Sequence, residues 1–313
     1  MEGQWSLTCV DAGSEYCPCH LAENGTCLAC SLLSGEDFCD CRWSGSCSYL
    51  NYQFSQGVIN KRSECTVLVN KKRLTPSLLD LRFRPKTSWL PKFAHAGTFL
   101  FLRPADAPYY AAVPISIVNI TADEVWLVVN CIGPKSSLLM RTDSQVIIRG
   151  PYYGALTNSH VLKKTRDANV IMVAGGTGQS ALVLAAKTLL RGGNRLWACL
   201  APGSTDLIYV GQTLRKYGVE VNEVSSLRRY GAKIIMNQLT QLEPSLVICA
   251  GPEELQTTIL TMLCSIGSKA EFVHTKNNVM CCGEGLCGSC LTNHFGQKRV
   301  PLCKAQYSFR GGN

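Results

Sequence analysis

Five of the eighteen cysteines lie between positions 281 and 303, and three of them, Cys282, Cys287 and Cys290, stand in a C-x₄-C-x₂-C array. That spacing is the one that wraps three thiolates around a plant-type [2Fe–2S] cluster. Cys303 is the expected fourth ligand. Gly283, Gly285 and Gly288 lie between the thiols and let backbone N–H groups approach the inorganic sulfides, which tunes the reduction potential. Cys281 would give a five-residue gap to Cys287 and is read as a non-ligand. Structural zinc is the alternative, but zinc sites favour paired C-x₂-C knuckles and only one such pair occurs here.

A second candidate is the glycine turn Gly175-Gly176-Thr177-Gly178. A buried strand precedes it and a helix follows it. Such a turn suits a pyrophosphate, because free N–H groups and the helix dipole face the anion. It is not a full G-x-G-x-x-G, and an ordinary strand–helix turn has the same form.

A third group opens the chain. Cys17-x-Cys19, Cys27-x₂-Cys30, Cys39-x-Cys41 and Cys47 supply seven closely spaced thiols, with Cys9 and Cys65 outside the group. Paired thiols chelate iron–sulfur or zinc. The expectation is a [4Fe–4S] cluster on Cys27, Cys30, Cys39 and Cys41, with Cys17, Cys19 and Cys47 as rival ligands and zinc as the alternative metal.

The rest of the composition narrows the function classes. The chain has 313 residues, 46% of them hydrophobic, which suits two or three globular domains. No run of 18 apolar residues occurs, so no membrane span is expected. The polar first seven residues do not read as a signal peptide, so a cytoplasmic location is expected, where clustered cysteines bind metal more often than they pair. The net charge of +9 is dispersed, without a basic run interleaved with aromatics, so no nucleic-acid partner is expected. The five histidines are scattered, and no acid–base or nucleophilic constellation stands out.

The elements that must position these groups follow from texture. Residues 65–69, 77–84, 98–102, 113–119, 124–129 and 145–149 are short strand-like runs separated by turn residues, which predicts a small antiparallel barrel. Residues 169–174, 195–201, 220–224 and 246–250 read as strands and 179–190 and 206–217 as helices, which predicts a parallel α/β domain. The fold class is therefore all-β followed by α/β. The expected domains are a Cys-rich extension (1–64), a barrel (65–165), a nucleotide-binding domain (166–270) and a cluster segment (271–313).

This order of parts resembles the ferredoxin–NADP⁺ reductase superfamily, and more closely the iron–sulfur electron-transfer subunit of two-subunit dihydroorotate dehydrogenases, over roughly residues 65–310. Met280, Cys282, Gly283, Gly285 and Cys287 match that family's cluster motif, and Gly175, Gly176, Gly178 and Leu182 match its nicotinamide motif, with Ser180-Ala181 in place of Ala-Pro. Ala250-Gly251-Pro252 stands where the family has Cys-Gly-Pro. Pro114-Ile115-Ser116-Ile117 matches the second half of its flavin motif, with Ala112 where the family has arginine. Gly150-Pro151-Tyr152-Tyr153-Gly154 is similar to its later Gly-Pro loop.

The resemblance implies a flavin-type barrel with FAD near Pro114, Ser116, Gly150, Tyr152 and Tyr153. It implies NAD(P)H near Gly175, Gly176, Thr177, Gly178, Gly251 and Pro252, and a partner oxidoreductase subunit in a hetero-oligomer. The expected function is electron transfer between NAD(P)H, FAD and iron–sulfur clusters. The alternative is a degenerate, reductase-like structural or redox-sensing subunit without functional flavin, motivated by Ala112, Ala181 and Ala250.

Overall fold

The computed structural model describes residues 4–40, 45–141, 144–294 and 298–310, in two compact units. The larger unit is Cys65–Pro151 with Ala155–Asn277. The smaller holds the described residues of Met1–Glu64, Tyr152–Gly154 and Asn278–Asn313. In chain order the strands are β1 (Gln4–Cys9), β2 (Glu64–Leu68), β3 (Asn70–Arg73), β4 (Leu78–Phe83), β5 (Phe99–Pro104), β6 (Val113–Ile120), β7 (Val125–Asn130), β8 (Gln145–Tyr152), β9 (Asn169–Gly175), β10 (Arg195–Ala201), β11 (Glu220–Glu223), β12 (Leu246–Ala250), β13 (Glu271–His274), β14 (Leu291–His294), β15 (Lys298–Pro301) and β16 (Ala305–Arg310).

In the larger unit, seven strands form one sheet in the order β2-β8-β5-β6-β7-β4-β3. Its two ends are consecutive in sequence. Only Val69 separates β2 from β3, so one bent stretch of chain belongs to both edges. Period-two alternation fills the inside: Leu79, Leu81 and Phe83 of β4 and Leu100 and Leu102 of β5 share one apolar cluster. Three of the four β3 residues are basic, with Lys71 half-buried and Lys72 and Arg73 exposed; such charge guards an edge strand against stray pairing, and the missing apolar alternation hid this strand from the sequence reading.

The second sheet is parallel throughout, in the order β11-β10-β9-β12-β13. Both of its faces are covered, so its strands read as continuous apolar runs. Val170, Met172 and Ala174 of β9 face one cluster, and Ile171 and Val173 face the other. Helix Leu182–Leu190 covers the first face with Leu182, Ala185, Ala186 and Leu189, an i, i+3, i+4, i+7 stripe. Helices Ala232–Leu242 and Glu253–Ser265 cover the second with Ile235, Leu239, Ile259 and Leu263. Each buried leucine or isoleucine contributes about 1.5–3 kcal/mol.

Three elements differ from expectation. The helix expected over 206–217 contracts to Gly211–Lys216. Buried Gln179 holds the preceding segment instead: its Nε2 donates to the carbonyls of Ala201 and Leu207, and its Oε1 accepts from the N–H of Tyr209. The helix expected over 179–190 begins as a 3₁₀ turn, Gly176–Ala181. Strand β13 extends the parallel sheet to His274, past the expected boundary at 270, and its brevity left no periodic signal.

In the smaller unit β1 pairs antiparallel with β16, from Gln4 opposite Arg310 to Cys9 opposite Ala305. The Cys-rich opening and the C-terminal segment, expected as two separate domains, thus share one sheet. The hairpin β14–β15 and the short helices His20–Glu23 and Ser48–Phe54 complete this unit. Among the described residues no helix is long and apolar enough to cross a membrane.

Candidate functional site

Strand β9 is central in the parallel sheet. The chain leaves it first towards β10 and β11 and returns on its other side through β12 and β13. Ligands of open α/β sheets bind outside the carboxyl ends of the strands at such a reversal. A cleft of about 1240 Å³ opens there, and the loop after every strand contributes to its wall. Gly175 ends β9 and residues 176–178 follow it, 203–204 follow β10, 225–228 follow β11, 251–254 follow β12, and 275–277 follow β13. Pro114, Ile115 and Ser116 of β6 and Asn130 of β7 close the opposite wall. Two motifs about 60 positions apart in sequence therefore face one space.

Local chemistry shapes the glycine turn. Gly176 has φ +61°, the left-handed region, and a Cβ on Gly178 would strike the Ala250 carbonyl. The Tyr209 hydroxyl braces the turn, 2.9 Å from Ser180 Oγ and donating to the Thr177 carbonyl at 3.2 Å. Burial pushes that phenol's pKa up. The Gly251 loop is held by its N–H to Thr275 Oγ1 at 3.1 Å and by Asn277 and Gln256 amides donating to its carbonyl at 2.8 Å. On the barrel side Asn130 Nδ2 donates to the Ser204 carbonyl at 3.4 Å, while its buried Oδ1 has no hydrogen-bond partner among the described residues. Ala112 is buried, 6% exposed.

Of the expected nucleotide and flavin residues, Pro114, Ser116, Gly175, Gly176, Thr177, Gly178, Gly251 and Pro252 all line this cleft. Gly150, Tyr152 and Tyr153 do not. Sequence reasoning missed Asn130, Ser226, Thr275 and Asn277, lone polar residues that no short motif distinguishes. Arg228 also lines the cleft.

In the smaller unit the cluster loop converges. Cys303 hydrogen-bonds to the sulfurs of Cys282 and Cys290, and Cys287 to that of Cys282. Backbone N–H groups add to this: Glu284 donates to Cys282 Sγ at 3.3 Å and Cys303 to Cys290 Sγ at 3.4 Å. The hydrogen bond from Cys303, aided by backbone N–H groups, outweighs burial and draws Cys282 down to about 3 and Cys290 to about 6. Those same bonds push the Cys303 thiol up. Four convergent thiols, two of them with N–H donors on their sulfurs, are a donor set that could hold iron.

Glu284, inside this loop, is held by three partners. Arg62 donates to Oε2 at 3.2 Å, Lys304 to Oε2 at 3.1 Å, and the Tyr152 hydroxyl to Oε1 at 2.7 Å. The Arg62 guanidinium lies over the rings of Tyr16 and Tyr152, at 4.2 and 4.1 Å from their centroids. Tyr152 is thus a buried strut of the cluster loop, and Tyr153 packs 6.3 Å from the Tyr16 ring.

The N-terminal thiols divide by burial. Cys19 and Cys30 are buried, Cys17 and Cys27 half-buried, and Cys39 and Cys47 exposed. Cys41 lies outside the described residues. The expected set of Cys27, Cys30, Cys39 and Cys41 is therefore only partly within the described residues. Cys131, Cys199 and Cys249 are apolar core residues, and burial lifts their thiols to about 11, 11 and 12.

No protein-family model matches the chain. It is 25% identical over 221 residues, 69% of its length and 85% of the relative's, to the electron transfer subunit of dihydroorotate dehydrogenase B (NAD⁺) of Clostridium perfringens. Among solved structures it is similar to the NADH-dependent reduced ferredoxin–NADP oxidoreductase studied for flavin-based electron bifurcation. There the TM-score is 0.60 at 21% identity, over 76% of this chain and 85% of that one. A ferredoxin–NADP⁺ reductase of Neisseria gonorrhoeae, solved with bound FAD and NADP, aligns with a TM-score of 0.54 at 15% identity, over 69% of this chain and 98% of that one.

Proposed function

We propose that this chain, which has the fold of the ferredoxin–NADP⁺ reductases and is distantly similar to the dihydroorotate dehydrogenase electron transfer subunit, carries electrons between a pyridine nucleotide and a partner oxidoreductase, with FAD and a [2Fe–2S] cluster as its cofactors. The observation that carries this reading is the convergence of Cys282, Cys287, Cys290 and Cys303, in a chain that also builds a large cleft at a strand-order reversal.

Residues 176–178 would hold the nucleotide's phosphates at their N–H groups, with Gly251 and Pro252 forming the wall beside them. Pro114, Ser116 and Asn130 would hold the flavin. The orphaned Asn130 Oδ1 supports a ligand that donates a hydrogen bond there, since a buried acceptor is rarely left unsatisfied. The four thiols would hold the iron, with Glu284 and its partners Arg62, Lys304 and Tyr152 fixing the loop's shape. When bound, FAD links two-electron hydride chemistry to the one-electron steps of a cluster. A partner subunit is part of the proposal because the relative, matched over 85% of its length, is itself the electron transfer subunit of dihydroorotate dehydrogenase B.

The second reading rests on Ala112. A buried methyl replaces the guanidinium that the family pairs with the flavin pyrophosphate, and a bidentate charge-assisted contact has no substitute in alanine. On that reading the chain binds iron without flavin and serves a larger complex as a structural or redox-sensing subunit.

One anaerobic preparation separates the two. FAD, iron and acid-labile sulfide are quantified, then NADH or NADPH is added and absorbance followed. The first reading expects flavin in near-stoichiometric amount and bleaching of both flavin and cluster bands. Iron and sulfide without flavin, and no bleaching, overturns it in favour of the second.

A further inference from the structure

The N-terminal thiols are unused by the path above, and the structure gathers five of them. Cys9, Cys17, Cys19 and Cys27 line one small internal cavity, with Leu21 and Leu33 in its apolar wall. Cys30 is buried against Leu33 and Ala22, which line the same cavity. Cys17 lies near enough to Cys19 and Cys27, and Cys27 to Cys30, for their charges to interact.

The backbone is arranged around these sulfurs as it is around the C-terminal ones. Cys27 Sγ accepts from the N–H groups of Ala29 and Cys30, and Cys19 Sγ from that of Leu21. In the cluster loop Cys282 Sγ accepts from the N–H of Glu284, also two residues on. Burial is the larger effect and raises both thiols; these bonds pull the other way, toward thiolate, and orient the sulfur toward a metal. A buried neutral thiol in an apolar core needs none, and Cys199 and Cys249 show burial alone as the cause of their shift.

We propose that Cys17, Cys19, Cys27 and Cys30 ligate a second iron–sulfur cluster, in the same compact unit as the C-terminal loop. A cluster is preferred to one zinc ion for the company it keeps: the same compact unit holds the C-terminal C-x₄-C-x₂-C array, and backbone N–H groups reach Cys19 and Cys27 as they reach Cys282 and Cys290. The cavity also adjoins the other site: Asp11 lines it, and Asp11 is paired at 2.7 Å with Lys304, the residue after Cys303. The proposal deepens the electron-transfer reading by adding a second centre, but it rests on the N-terminal thiols and not on flavin.

The test uses the full chain, produced with iron and purified anaerobically. Iron, zinc and acid-labile sulfide are measured per chain, and spin resonance is recorded after dithionite reduction. The wild type is expected to hold more iron and sulfide than one [2Fe–2S] cluster accounts for. Cys287→Ala/Cys290→Ala should keep the excess. Cys27→Ser/Cys30→Ser should lose it and retain the C-terminal signal, which also reports that the unit is folded. Cys39→Ser should match the wild type. Iron in the wild type no greater than one [2Fe–2S] cluster, stoichiometric zinc in place of the excess iron, or wild-type iron in Cys27→Ser/Cys30→Ser each overturns the proposal. Absence of flavin leaves it standing and counts only against the nucleotide-linked path.

Discussion

Asp11 and Lys304 stand near opposite ends of the chain, yet they form an ion pair of 2.7 Å in which the side chains are 2% and 0% exposed. Arg62 donates to the other oxygen of Asp11 at 2.7 Å, and Glu284 shares both cations. The cluster loop, the segment after Cys303 and the Cys-rich opening are thereby tied through four charges, three of them buried and Glu284 half-buried. Pairing is what makes their burial tolerable, because an isolated charge in such a place costs several kcal/mol.

Breaking the pair on one side strands a charge. Lys304→Met is expected to destabilise the smaller unit by about 3 kcal/mol, read as a fall in the urea midpoint. The pair also predicts a pH dependence. Burial alone would raise the Asp11 pKa, but Lys304 and Arg62 outweigh it and hold it below its ordinary value. A depressed carboxylate contributes stability above its unfolded pKa of about 3.9 and loses it as pH falls through the lower folded value. The urea midpoint of the wild type should therefore drop on acidification below about pH 4, and Asp11→Asn should flatten that drop. A variant with an unchanged slope would remove Asp11 from the account.

Gly178→Ala tests the nucleotide turn. The added methyl meets the Ala250 carbonyl, so the turn must shift away from β12. Overpacking of this kind costs about 1–3 kcal/mol in stability. Binding of NADH or NADPH, followed by fluorescence, is expected to weaken at least tenfold, while iron content stays at the wild-type level.

Asn130→Ala removes the orphaned acceptor in the cleft. With one hydrogen bond to a ligand worth about 1 kcal/mol, FAD affinity should fall roughly fivefold, measured by equilibrium dialysis against the apoprotein. Ser116→Ala should behave alike. An undiminished affinity in both would mean that the flavin contacts lie elsewhere.

Cys281 and Cys282 are adjacent and separate ligand from bystander. Cys281→Ser is expected to leave the visible absorbance and sulfide content unchanged. Cys287→Ala should abolish the C-terminal cluster's spin resonance signal, with flavin reduction by the nucleotide retained. The opposite result for Cys281 would move the ligand register by one residue.

The chain's own order of residues was enough to determine the class of fold. Alternating apolar residues such as Leu79, Leu81 and Phe83, and continuous runs such as 169–174, encode a barrel strand and a doubly covered parallel strand, because burial pattern follows strand period. The C-x₄-C-x₂-C array carries its chemistry locally, since a short loop must place its own thiols. What lies far apart in sequence was decided only in three dimensions. Nothing near Ser116 or Asn130 announces that both face residues 175–178 across one cleft. Tyr152 looked like a flavin neighbour, and the fold makes it a strut for Glu284. Which N-terminal thiols share one buried space was decided likewise: Cys17, Cys19 and Cys27 line it, while Cys39 and Cys47 are exposed. Cys9 joins them from the end of β1, whose pairing with β16 at the far end of the chain no local pattern encodes.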